Sequence, residues 1–131
     1  MIEVLGHIVR GGGWATKNLG KQLPLIAAKF PEVAQCYHGS LNVRLCSPLR
    51  IEKPDFVTEP INWGQQTEVF HFTRIQFELL RSGENIIAHD AWIYGPQNSP
   101  HKKSPFLIEV ITKRIELSGE SRCRIRIDRN T

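Results

Sequence analysis

Cysteine is scarce in this chain. Three residues, Cys36, Cys46 and Cys123, occur among 131, at long spacings and with no C-x-x-C pair. That excludes a disulfide framework and a zinc ribbon and makes a reducing cytoplasm the expected setting. Long apolar runs are missing too. No stretch approaches the ~18 uninterrupted apolar residues of a membrane span, and residues 1–15 lack a basic segment followed by an apolar one, so neither secretion nor membrane insertion is expected. GxSxG, HExxH and zinc-deaminase signatures do not occur, which leaves the hydrolase and metallopeptidase chemistries they mark without residues. Charge of one sign is only mildly in excess. Seventeen Lys and Arg against thirteen Asp and Glu give a formal net charge of +4. This suits an anionic partner without choosing among nucleotide phosphates, nucleic acid and acidic lipid.

A hydrophobic fraction of 40% and a charged fraction of 23% describe an ordinary globular chain. Its length predicts one domain over residues 1–131 with a core large enough to need no staple. Alternating apolar residues predict strands over 2–10, 41–45, 69–80, 86–95, 106–112 and 122–128. In VFHFTRIQFELL the apolar parity shifts, which reads as a bulge near Thr73–Arg74. Leu19, Leu23, Ile26, Ala27 and Phe30 mark one helix, weakened early by Gly20 and Pro24. Residues 46–62 hold three prolines and read as an irregular excursion; SGEN (82–85) and LSGES (117–121) read as turns. Six short, mostly sequential strands and one helix predict a mainly β fold: a small, mainly antiparallel six-stranded barrel with the helix covering one opening.

Several stretches can carry chemistry. Arg10-Gly11-Gly12-Gly13-Trp14-Ala15-Thr16-Lys17 lies between a strand and the helix. Its glycines let backbone N–H groups approach an anion, though the run is neither GxxxxGK[ST] nor GxGxxG, and glycine runs also serve as plain turns. In His38-Gly39-Ser40-Leu41-Asn42-Val43, Ser40 and Asn42 stand two apart at a strand entrance and share one side. There a hydroxyl and an amide oxygen can ligate a hard cation such as Mg²⁺, or simply close a turn. The loop from Gly95 to Lys103 brings Ser99, His101, Lys102 and Lys103, and Glu109 interrupts the apolar run that follows. A carboxylate in such a strand needs a partner or a cavity. Arg122, Arg124 and Arg126 alternate with apolar residues and read as a phosphate-tracking face or as the wet face of an edge strand. His71 and His89 read as structural or exposed. Trp14, Trp63 and Trp92 read by default as packing residues.

Taken in order, the glycine-rich turn, Gly39-Ser40-Leu41-Asn42-Val43, Pro96-Gln97-Asn98-Ser99-Pro100-His101 and Glu109 resemble the archaeal-type CTP-dependent riboflavin kinases, a cradle-loop barrel family. The resemblance runs from about Leu5 to Ile127. It implies transfer of the γ-phosphoryl group of CTP to the ribityl 5′-hydroxyl of riboflavin, giving FMN and CDP. It implies nucleotide binding at Gly11, Gly12, Gly13, Trp14, Ala15 and Thr16, Mg²⁺ at Ser40 and Asn42, and flavin contacts at Ser99 and Glu109. Ser40 stands where the family has Thr, and the segment after Glu109 is shorter than the family's, without its Leu-Arg pair. The second reading is a non-catalytic barrel that holds a flavin or a nucleotide. Nucleic acid is not the expected partner, because no interleaving of basic and aromatic residues marks a stacking platform.

Overall fold

Period-two alternation sends neighbouring side chains to opposite faces, so a closed sheet sorts each strand into an inner and an outer set. The computed structural model describes residues 1–9, 14–15, 18–64, 66–81, 86–96, 104–117 and 122–128, with backbone only at 14, 15 and 96. In chain order the elements are β1 (Ile2–Ile8), β2 (Trp14–Ala15), α1 (Leu19–Lys29), a short 3-10 helix (Pro31–Val33), β3 (Ser40–Leu45), β4 (Phe56–Val57), β5 (Ile61–Asn62), β6 (Thr67–Glu68), β7 (Phe70–Leu79), β8 (Ala88–Pro96), β9 (Leu107–Thr112) and β10 (Arg122–Ile127). The six long strands run β1-β10-β7-β8-β9-β3, and β3 pairs back onto β1. Every pairing is antiparallel, so the protein is a closed six-stranded antiparallel barrel with one α-helix. No described helix is long and apolar enough to cross a membrane.

All six strands fill the barrel interior. Val4 and Ile8, Leu41, Val43 and Leu45, Ile75, Phe77 and Leu79, Ala91 and Ile93, Ile108 and Val110, and Cys123, Ile125 and Ile127 form one buried cluster. A second cluster joins Leu19, Leu23, Ile26 and Phe30 of α1 to Phe70 and Phe72 on β7, Trp92 and Tyr94 on β8 and Ile111 on β9. Trp92 and Tyr94 alternate with the inward Ala91 and Ile93. The helix therefore lies against the outside of the β7–β8–β9 wall, where the sequence reading had set it over an opening.

This second cluster also removes the bulge expected near Thr73–Arg74. β7 and β8 stay in unbroken register from Phe70↔Pro96 to Glu78↔Ala88. The apolar parity changes because β7 is buried on both faces in turn: its start packs outward beneath α1, and Ile75, Phe77 and Leu79 pack inward. β10 is likewise not the edge strand that the arginine alternation allowed. It lies between β1 and β7, with Arg124 donating from Nε to Glu78 at 2.6 Å and Arg126 3.3 Å from Glu3. The irregular excursion contains β4 and β5, and β4 extends the sheet on β7 at Phe72 and His71, where β10 no longer reaches. The SGEN turn and residues 118–121 of the LSGES turn lie outside the described residues.

Gly6 sits where β1 is flanked by β3 and β10, and an added Cβ would stand 2.9 Å from both the Arg44 carbonyl oxygen and Val43 Cγ1. Because one neighbour is backbone, Gly6→Ala is expected to cost about 1–3 kcal/mol. Ile26→Ala, at a side chain with no exposed surface, is expected to cost about 2–5 kcal/mol. Denaturant unfolding measures both, and an unchanged midpoint for Ile26→Ala would contradict the packing of α1 on the wall.

Candidate functional site

β3 turns Leu41, Val43 and Leu45 into the barrel and leaves Ser40, Asn42 and Arg44 on its outer side. β9 runs beside it with Glu109 opposite Asn42, and β8 follows with Tyr94 opposite Glu109. Asn42, Glu109 and Tyr94 thus form a row across three strands, with neighbouring Cβ atoms about 5 Å apart. The carboxylate that interrupts the apolar run of β9 alternates with the inward Ile108 and Val110, and it points out of the barrel. It accepts a hydrogen bond from Ser40 Oγ at 3.1 Å. Ser40 itself is only 3% exposed.

The glycine-rich turn is pinned to this same corner at both flanks. The Val9 N–H donates to the Asn42 carbonyl at 3.0 Å. Past the turn, Trp14 and Ala15 pair with Leu41 and Ser40. Ile8 lies opposite Val43 and Trp14 opposite Leu41, so one chain advances from residue 8 to 14 while β3 moves only from 43 to 41. Val9 on one flank and Trp14–Ala15 on the other are thus tied to the backbone of Asn42, Leu41 and Ser40, the stretch to which the resemblance gives Mg²⁺. Gly11, Gly12, Gly13, Thr16 and Lys17 lie outside the described residues, as do the side chains of Trp14 and Ala15. Ser99, His101, Lys102 and Lys103 lie outside them as well.

Behind the row is a cavity of about 230 Å³. The segment from Leu49 to Pro54, the start of β7, the end of β8, the start of β9 and Ser104–Pro105 line it. Its lining is mixed: Leu49, Ile51, Ile93, Leu107 and Ile108 give it an apolar part, and Arg50, His71, Thr73, Tyr94, Ser104 and Glu109 bring polar groups. That mix fits a ligand with an apolar body and a few polar positions. Glu109 belongs both to this lining and to the cluster on β3.

Two partners of the site were missed in the sequence. Tyr94 donates its hydroxyl to Oε1 of Gln22, which is 4% exposed on the buried side of α1. The available signal was a polar residue within an apolar helical stripe. Burial pushes the Tyr94 phenol well above its ordinary range, and the Glu109 and Glu68 carboxylates push it further in the same direction. Tyr94 therefore stays a neutral donor. Glu68 is buried but satisfied, accepting from Trp63 Nε1 at 3.0 Å and Gln66 Nε2 at 2.7 Å. Trp63 and Trp92 are packing residues, as expected. Residues 113–117, after β9, hold no helix, and the Arg114 guanidinium stacks over Tyr37 at 4.9 Å from the ring centre.

Among the described residues no three His, Cys, Asp or Glu side chains cluster as metal ligands. Glu109, Ser40 and Asn42 bring together one carboxylate, one hydroxyl and one carboxamide, all hard oxygen donors. Such a set suits Mg²⁺, which commonly takes one or two carboxylates and completes its shell with waters and substrate phosphates.

The Tyr94 phenol predicts an alkaline instability. An acid whose pKa is raised by folding stabilises the native state below its unfolded value, near 10, and that stability is lost as pH rises above it. Tyr94→Phe is expected to flatten the decline in stability above pH ~10. It should also lower stability at neutral pH by about 1–3 kcal/mol by stranding the Gln22 acceptor. Denaturant midpoints measured from pH 7 to 11 check both effects.

No protein-family model matches this chain, and no curated protein matches it.

Proposed function

We propose that this chain is a Mg²⁺-dependent phosphotransferase that moves the γ-phosphoryl group of a nucleoside triphosphate, CTP in the family it resembles, to the ribityl 5′-hydroxyl of riboflavin, giving FMN in a cytoplasmic setting. One observation carries the reading. Ser40 and Asn42 share the outer face of β3, Glu109 stands across from them, and both flanks of the glycine-rich turn are tied to the backbone of those same residues.

Phosphoryl transfer demands positioning and charge neutralisation more than covalent help from the protein. The carboxamide oxygen of Asn42 and the hydroxyl of Ser40 would hold the ion, which neutralises phosphate oxygens when bound. The turn from Gly11 to Thr16 would take the nucleotide phosphates. The cavity would take the flavin, with Ser99 and Glu109 as its polar contacts. Glu109, set between cavity and β3, would accept a hydrogen bond from the ribityl hydroxyl and aim its oxygen at the phosphorus. The bond formed is then O–P to riboflavin, the bond broken is O–P to the departing nucleoside diphosphate, and the hydroxyl proton would leave through the Glu109 carboxylate. Tyr94, held neutral by burial and with its hydroxyl bonded to Gln22, would stand beside Glu109 without competing for the proton.

Incubation of riboflavin and Mg²⁺ with each of CTP, ATP, GTP and UTP, read by chromatography of FMN, tests the proposal. FMN is expected with at least one donor and none after chelation of Mg²⁺. Asn42→Ala should lower turnover about 100-fold or more while leaving Tm unchanged, because Asn42 is only half-buried. Quenching of flavin fluorescence without FMN from any donor would sink the kinase reading and leave a binding module.

A further inference from the structure

Most outward charges in described strands have partners. On β10, Arg124 bonds to Glu78, and Arg126 lies 3.3 Å from Glu3 and 3.8 Å from Glu78. The third outward arginine of that strand differs. Arg122 falls opposite His7 on β1, and His7 falls opposite Arg44 on β3. All three side chains are exposed. Among the described residues no carboxylate pairs with Arg122, Arg44 or His7. Arg44 and Arg122 thus hold two permanent positive charges on either side of one imidazole, with no acid between them. A row of this kind gains when an anion lies along it.

We infer that Arg44, His7 and Arg122 form an anion site on the outer wall of the barrel that takes a linear di- or triphosphate. The row crosses two inter-strand spacings of about 4.8 Å and so spans about 10 Å, longer than a single phosphate and matched to a short phosphoryl chain. Two guanidiniums with an imidazole between them offer N–H donors along that length. The row also stops. The next outward residues on β1 and β10 are the apolar Leu5 and the Glu-paired Arg124, and beyond them Glu3 pairs with Arg126. A nucleic-acid backbone would need the cationic track to continue, whereas a short polyphosphate does not. Arg44 also follows Asn42 on the same outer face, about 7 Å along β3. The inference stands on the pairing pattern and does not require turnover of riboflavin.

Titration calorimetry at low salt, without Mg²⁺ or flavin, tests it with inorganic tripolyphosphate and separately with CTP. Arg44→Gln and Arg122→Gln should each weaken tripolyphosphate binding about tenfold. Lys29→Gln, an equal loss of charge on the exposed side of α1, should leave it unchanged. Each arginine variant should keep the Tm of the unchanged protein, since both side chains are exposed. If CTP loses the same factor, the ligand is the tail of a nucleotide; if only tripolyphosphate loses it, the ligand is free polyphosphate. Either result supports the site. Unchanged tripolyphosphate binding in the double variant, or an equal loss in Lys29→Gln, would overturn it. So would a single-stranded oligonucleotide that binds more tightly than tripolyphosphate and depends on the same arginines. Absence of FMN formation would overturn the kinase reading alone.

Discussion

Closure of the barrel decides what β3 presents. Leu41, Val43 and Leu45 must point inward, because the interior is packed with apolar side chains from all six strands and an amide or guanidinium sent there would lose its water without a partner. Ser40, Asn42 and Arg44 are then forced outward as a set. A one-residue slip of β3 would send the polar set into the core and the leucines into water, so burial of the apolar face fixes the register. Pairing to β1, β2 and β9 repeats that constraint on both sides of the strand. The placement of Glu109 opposite Asn42, and of both flanks of the glycine-rich turn beside it, follows from this register and needs no separate cause.

The helix supplies the second constraint. A barrel wall normally has one wet face, yet β7 and β8 carry Phe70, Phe72, Trp92 and Tyr94 outward. Covering them with Leu19, Leu23, Ile26 and Phe30 makes this wall a two-layer structure. The cover also dries one end of the candidate site. Tyr94 lies at that boundary, and its hydroxyl would be stranded there without Gln22. A polar residue at position 22 of an otherwise apolar stripe is thus dictated by the strand beneath it.

What was legible in the chain follows the same division. Strand β3 and strand β10 could be read because each is buried on one face only, and period-two alternation survives intact in SLNVRL and RCRIRI. β7 was misread in part because it is covered on both faces over different stretches, which alternation reports as a break in parity. The pairing of Arg124 and Arg126 was invisible because Glu78 and Glu3 are distant in sequence and meet them only through the order β1-β10-β7. The side-by-side placement of Ser40 and Asn42 was legible from spacing alone. Their juxtaposition with Glu109 was not, because it depends on which strand lies next to β3. The tie between Tyr94 and Gln22 spans helix and barrel, and no local pattern encodes it.

Glu109 brings the two halves of the site together. A strand residue has one side chain, yet this one meets Ser40 on β3 and also borders the cavity between β7, β8 and β9. A ligand that enters the cavity and bonds to the carboxylate must compete with Ser40 or share its oxygens with it. Ionised, the carboxylate has enough acceptor positions for both. Protonated, it has fewer, and Ser40 and the ligand would become alternatives. Occupancy of the cavity and the arrangement of the oxygen donors on β3 are therefore coupled through a single carboxylate, with no movement of the backbone required. A rigid barrel can in this way link a cavity to a set of oxygen donors on its outer face, because the two lie beside one residue rather than at opposite ends of the protein.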